Sequence, residues 1–304
     1  MIPLELRRLK APHLIVEAIY RGVKQEVDDN ESVSYLGEEL ADDFRRYYQI
    51  YTRLLRRPQY FLYLHAQKLE TLVQDVLSRS NTDPVRVLDV GCGMGSESIA
   101  LGLLGVAVFG IDINSRSLQI AQRRCRWYES RLGHKLEVSF ACKDAGKLGE
   151  LCLPVCDIVF AHGSVVFFES VNDFLKATTR TLRPKGSLIV TCVNIAHPFN
   201  SIGFFIHTGR LRFRFESHRP LTPRQIRRWF EANGLKVKFA RGYGYVPPFV
   251  LTRSESICNL ILRLERLLPA QLSYLTGLTY LIGGEKLERG RDARLTSETE
   301  KQDR

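Results

Sequence analysis

Three glycines spaced two apart, Gly91, Gly93 and Gly95, separate an apolar run at 85–90 from a helical stretch at 96–104. A second apolar run, 106–111, ends at Asp112, seventeen residues beyond the third glycine. Glycine turns sharply and lets another molecule approach the backbone without meeting a Cβ atom. A strand, a glycine turn and a helix in that order form the nucleotide-binding corner of a doubly wound sheet, with the free N–H groups of the helix at the ligand.

The alternation continues. A helix is expected at 115–132, ended by Gly133, then strands at 136–141 and 157–161. A helix at 171–182, a turn at 183–186 and a strand at 187–193 follow. Fully apolar strands between helices imply a mostly parallel sheet covered on both faces. Residues 1–80 read as a helical extension with a break near Pro58. Thr222 and Pro223 open another helix as N-cap and first-turn residue, and strands follow at 235–240 and 278–282. Between them Ile257, Leu260, Ile261, Leu264 and Leu267 stripe one side of a helix. Packing on the sheet is the common cause of such a stripe; contact with a membrane surface is the other reading. The polar residues 285–304 are expected to be disordered.

Seven cysteines at irregular spacing, with one C-x-x-x-C at Cys152 and Cys156, point to reduced thiols rather than a metal site. No apolar run has the length of a membrane span, and Glu17 breaks the N-terminal apolar stretch too early for a signal core. A cytoplasmic protein is expected, with peripheral membrane contact as an option. The net charge is +11. Residues 205–241 carry ten Lys or Arg against Glu216 and Glu231, and so supply most of the excess. Such a cluster suits an anionic substrate, an acidic membrane surface or a nucleic acid.

The glycine spacing narrows the ligand. A nicotinamide fingerprint would need its third glycine at position 96, which is serine, and no P-loop lysine follows. The remaining pattern, Asp89-x-Gly91-x-Gly93-x-Gly95, resembles the class I S-adenosylmethionine-dependent methyltransferases. Four further segments resemble theirs in order: FGIDIN, ACKDAGKL, CDIVFAHG and LRPKGSLIV. The likeness is strongest to the small-molecule group that includes ubiquinone and menaquinone methyltransferases. It implies an α/β doubly wound sheet of seven strands spanning 81–284, with a substrate lid at 194–222. It also implies a set of cofactor contacts. Asp89 would face the amino-acid end through the turn, and Gly91, Gly93 and Gly95 would bring the backbone close. Asp112 would hold the ribose, Ile113 and Ala145 would flank the adenine, Asp144 would bind its amino group, and Ala161 would line the cleft.

The acceptor is less legible, because a sulfonium is already activated and a base is needed only when the acceptor must lose a proton. His162, after the fourth strand, is the candidate base; a polar lining role is the alternative. His197 and His207 are weaker candidates. Phe167 and Phe168 stand where many relatives place a histidine, which suggests an apolar substrate wall. The Pro-Pro-aromatic element of base N-methyltransferases is replaced by His162-Gly163-Ser164-Val165. Cys192 aligns with the nucleophile of RNA cytosine enzymes, but their Pro-Cys partner motif is missing, so it reads as a core thiol. Arg210, Arg212 and Arg214 alternate with Leu211, Phe213 and Phe215 in the lid. Oxygen or carbon of a lipophilic or anionic small molecule is the expected acceptor. RNA or protein methylation and a non-catalytic cofactor-binding subunit are the alternatives.

Overall fold

The computed structural model describes residues 2–28, 31–54, 58–79, 84–150, 153–194, 197, 222–244, 256, 260, 263–265 and 267–287. Most of the expected lid at 194–222, with His207 and Arg210 to Phe215, lies outside them, as does the tail beyond 287. Three helices lead: α1 (Pro12–Asp28), α2 (Glu38–Leu54) and α3 (Pro58–Arg79). Pro58 opens α3, as its fixed φ and missing N–H favour. The alternating part runs β1 (Arg86–Val90), α4 (Ser96–Leu103), β2 (Ala107–Asp112), α5 (Ser115–Leu132), β3 (Val138–Cys142), β4 (Cys156–His162), α6 (Val171–Thr181) and β5 (Leu182–Val193). It closes with α7 (Pro223–Ala232), β6 (Leu235–Tyr243), α8 (Ala270–Thr276) and β7 (Thr279–Lys286).

The seven strands lie in the order β3-β2-β1-β4-β5-β7-β6. The order reverses between β1 and β4, the switch point where such sheets bind ligands beyond their carboxyl ends. β7 is antiparallel to both of its neighbours, and the other described pairings are parallel. The expected turn at 183–186 lies inside β5. The chain pairs Leu182 with Cys156, bulges through Lys185 at φ 62°, and rejoins the ladder at Ser187 opposite Ile158. Local capping chemistry sets several helix starts. The side chains of Asn114, Ser170 and Thr222 accept first-turn N–H bonds.

Alternate strand residues build two cores. Val87, Ile158, Phe160, Ile189 and Leu281 pack on one face with Ile15, Ile19, Leu69, Leu72, Val76 and Ile99, so α1 and α3 share a core with the sheet. Leu88, Val90, Val159, Ala161, Val190 and Cys192 pack on the other with α6 and α7. Of the expected C-terminal stripe, Ile257 and Ile261 lie outside the described residues, and the other three positions differ from the packing expectation. Leu260, Leu264 and Leu267 are exposed, whereas Glu265 is buried.

Candidate active site

The carboxyl ends of β1, β2, β3 and β4 bring the expected cofactor residues to one rim. After β1 the chain turns back, and the N–H groups of Gly91 and Cys92 both donate to Ile111 O of β2. All three glycines have positive φ, near +75°, +52° and +75°, but they serve different ends. A Cβ at Gly91 would fall 2.4 Å from Ser164 Cβ, and one at Gly95 would fall 2.9 Å from Ala121 and Phe140. These two are small because protein packs against them. A Cβ at Gly93 would meet nothing within 4 Å. Gly93 is therefore where the backbone faces open space, as close approach of a ligand requires.

Asp112 braces that turn. Its Oδ2 accepts from the Gly93 N–H and its Oδ1 from the Asn114 N–H, each at 2.8 Å. Each oxygen keeps a lone pair for a ribose hydroxyl. Ile113 beside it is 71% exposed, an apolar surface suited to an adenine face. Lys143 N–H donates to Asp112 O, which joins the β3 end to this rim. Asp144 is exposed there, with Oδ1 accepting from the Gly146 N–H, and Ala145 is buried behind it. Asp89 lies beneath the turn, 3% exposed, and accepts from Ser98 Oγ at 2.6 Å. Burial first, then the Glu97 charge, pushes its carboxyl up to about 7. Ala161 differs from the rest, because its side chain is wholly buried in the core against α6, so it can present only backbone to the cleft.

His162 ends β4 on the same face as Phe160, with its side chain 15% exposed. Its Nδ1 lies 3.6 Å from Glu97 Oε1 on α4. Burial would raise the Glu97 carboxyl, but the neighbouring His162 imidazole outweighs it and holds it below its ordinary value. Tyr20 of α1 also donates to Glu97 Oε1, at 3.5 Å. Gly163 N–H donates to Thr191 Oγ1, fixing the chain as it leaves β4. Phe167 is 60% exposed, as a substrate wall requires, whereas Phe168 packs on Phe174. His197 follows β5, and burial lowers its pKa. Cys192 is buried, and its thiol is pushed up to about 12 by that burial, which leaves it inert at neutral pH.

Sequence reading missed Glu97, which looks like an ordinary acid in a helix first turn. It also missed the brace beneath the turn. Arg124 of α5 is fully buried and donates to Met94 O at 2.7 Å, Ser96 Oγ at 2.8 Å and Glu26 Oε2 at 2.9 Å. Tyr128 also donates to Glu26, and Tyr48 of α2 bonds Ser96 at 2.5 Å. The N-terminal helices thus reach the glycine turn directly.

Known proteins resemble this chain in sequence and in fold. A methyltransferase-domain family matches residues 88–190. The ubiquinone biosynthesis O-methyltransferase of Rhizobium rhizogenes is 23% identical over 194 residues, 62% of this chain and 75% of that protein. The mitochondrial ubiquinone biosynthesis O-methyltransferase of Rattus norvegicus is 27% identical over 189 residues, 58% of this chain and 53% of that protein. Among solved structures, magnesium protoporphyrin IX methyltransferase of Synechocystis PCC 6803 with bound SAH has a TM-score of 0.51 at 16% identity, over 73% of this chain and 83% of that one. A SAM-dependent methyltransferase from Archaeoglobus fulgidus also has a TM-score of 0.51, at 19% identity, over 79% of this chain and 100% of that one. At such identities the structures establish the fold.

Proposed function

The chain carries a class I S-adenosylmethionine-dependent methyltransferase domain, and we propose that it methylates an oxygen of a lipophilic or anionic small molecule. The cofactor supplies the methyl group as a sulfonium. The residues at the rim fit it: open backbone at Gly93, a carboxylate at Asp112, an exposed apolar face at Ile113 and a second carboxylate at Asp144. Asp89 lies under the turn, toward the amino-acid end, with its carboxyl accepting from Ser98 Oγ.

One observation carries the choice of oxygen, namely the pairing of His162 with Glu97 at the mouth of the cleft. A carboxylate at Nδ1 holds the proton on that nitrogen and leaves Nε2 as the basic one. Such a dyad takes a proton from a hydroxyl as it is methylated. The exposed Phe167 supplies an apolar wall. The ubiquinone O-methyltransferases among the relatives favour a lipophilic acceptor of this kind. We also propose a cytoplasmic enzyme that touches a membrane peripherally through Leu260, Leu264 and Leu267, which are exposed around Arg263. No described helix is long and apolar enough to cross a membrane.

The test is transfer of labelled methyl from S-adenosylmethionine into cell extract divided into organic-soluble, aqueous small-molecule, RNA and protein fractions. Label in a small-molecule fraction, released by acid hydrolysis of an ether or ester, supports the reading. Label in RNA or protein would replace it.

A further inference from the structure

We propose that Tyr20 of α1 is a positioning residue for methyl transfer, holding the Glu97 carboxylate on Nδ1 of His162, so that the helical extension completes the active site. The inference rests on the methyltransferase reading above and adds to it a residue from outside the doubly wound sheet.

α1 packs on the sheet through one stripe. Ile15, Val16, Ile19, Tyr20 and Val23 are buried in the core that also holds Phe160 of β4. The Tyr20 ring thus belongs to the sheet face from which His162 projects, two residues beyond Phe160. For packing alone that position needs only a ring, and phenylalanine would fill it with no hydroxyl to satisfy. The Tyr20 hydroxyl donates to Glu97 Oε1 at 3.5 Å. The same oxygen lies 3.6 Å from His162 Nδ1. One carboxylate oxygen on α4 therefore meets a side chain from the helical extension and one from the mouth of the cleft. The residue before Glu97 repeats the arrangement, since Tyr48 of α2 bonds Ser96 Oγ at 2.5 Å. α1 and α2 each place a tyrosine hydroxyl on one of the first two residues of α4.

The charge states suit this role. Burial first, then the charge of Glu97, raises the Tyr20 phenol well above its ordinary value, so it keeps its proton and donates. Burial would also raise Glu97, but His162 outweighs it, so Glu97 stays a carboxylate and only accepts. The last torsion of a glutamate is broad, and a single partner leaves the carboxylate free to turn. A second donor on the same oxygen restricts that rotation. The imidazole then keeps its proton on Nδ1 and its lone pair on Nε2, the nitrogen left to take a proton from the acceptor.

The imidazole itself reports the effect. Nitrogen-15 shifts of the His162 ring, assigned by their loss in His162→Gln, give the share of neutral ring protonated on each nitrogen. They are recorded above the measured titration midpoint of the ring, on the full chain with S-adenosylhomocysteine. The native protein, Tyr20→Phe, Glu97→Ala and the double variant are compared. The native ring should favour the Nδ1–H form about tenfold, as a hydrogen bond to a carboxylate allows. Tyr20→Phe should cut that excess by about threefold or more, while binding S-adenosylhomocysteine as the native chain does. Glu97→Ala should abolish the excess, and Tyr20→Phe added to it should change nothing further, because the two residues act in series. A packing role alone would leave the tautomer balance unmoved. An unchanged excess in Tyr20→Phe, an equal effect of Tyr20→Phe once Glu97 is gone, or a native ring protonated chiefly on Nε2 would each overturn the proposal. Failure of the native chain to bind S-adenosylhomocysteine would instead count against the methyltransferase reading, and the ring shifts do not depend on it.

Discussion

His162 and Glu97 show how much a single pair can decide. As general base, His162 should account for about 10²–10⁴-fold of the turnover rate. His162→Ala should therefore lower kcat by that order and leave S-adenosylhomocysteine affinity nearly unchanged, as measured by steady-state kinetics and calorimetry. Glu97→Gln should cost less, because the ring remains. Asp89 makes a prediction about stability. Its folded carboxyl is raised from 3.8 to about 7, so the folded state holds a proton that the unfolded chain has released. Its contribution is complete below pH 4 and is lost as pH rises through about 7. Asp89→Asn should flatten this fall in urea midpoints measured from pH 4.5 to 8. A variant that keeps the native slope would show that Asp89 does not carry the proton. None of these environments is visible in sequence, since Glu97 and His162 are 65 positions apart and Asp89 reads only as part of a turn motif.

At the scale of elements, the helical extension reaches the site through the Tyr48–Ser96 and Tyr20–Glu97 hydrogen bonds and through a buried ion pair. Arg124 and Glu26 are both fully buried, and Arg124 also holds Met94 O inside the glycine turn. Removing one partner of such a pair leaves an unpaired charge and costs about 3–5 kcal/mol. Glu26→Ala should lower stability by that order in denaturant titration. It should also weaken cofactor binding, because the turn loses its brace. Unchanged cofactor affinity would mean that Arg124 holds Met94 without Glu26. Elements with a strong local signal were legible: the strand, turn and helix around Gly93, the Thr222 cap and the Pro58 break all stand where the residues imply. Elements defined by distant partners were not. Glu26 and Arg124 are 98 residues apart, and Glu26 reads as an ordinary polar residue on an amphipathic helix. The bulge at Lys185 was read as a turn because Pro184 and Gly186 give the same local signal in either setting.

For the whole molecule, alternation of apolar strands and helices was enough to reveal a doubly wound sheet, because burial on both faces demands it. The antiparallel direction of β7 was not legible, since an apolar strand reads the same either way. Leu260, Leu264 and Leu267 of the apolar stripe near the C-terminus are exposed where packing on the sheet is expected, because periodicity marks a face without saying what covers it. The central claim is that the rim around Gly93 holds S-adenosylmethionine for methyl transfer. Calorimetric titration of S-adenosylhomocysteine into the native chain and into Gly93→Val tests it most directly. A valine at φ +52° is strained and also fills the open side of the turn. The account predicts one site per native chain and at least a tenfold loss in the variant, with the fold retained. Equal affinity in the two proteins would contradict it.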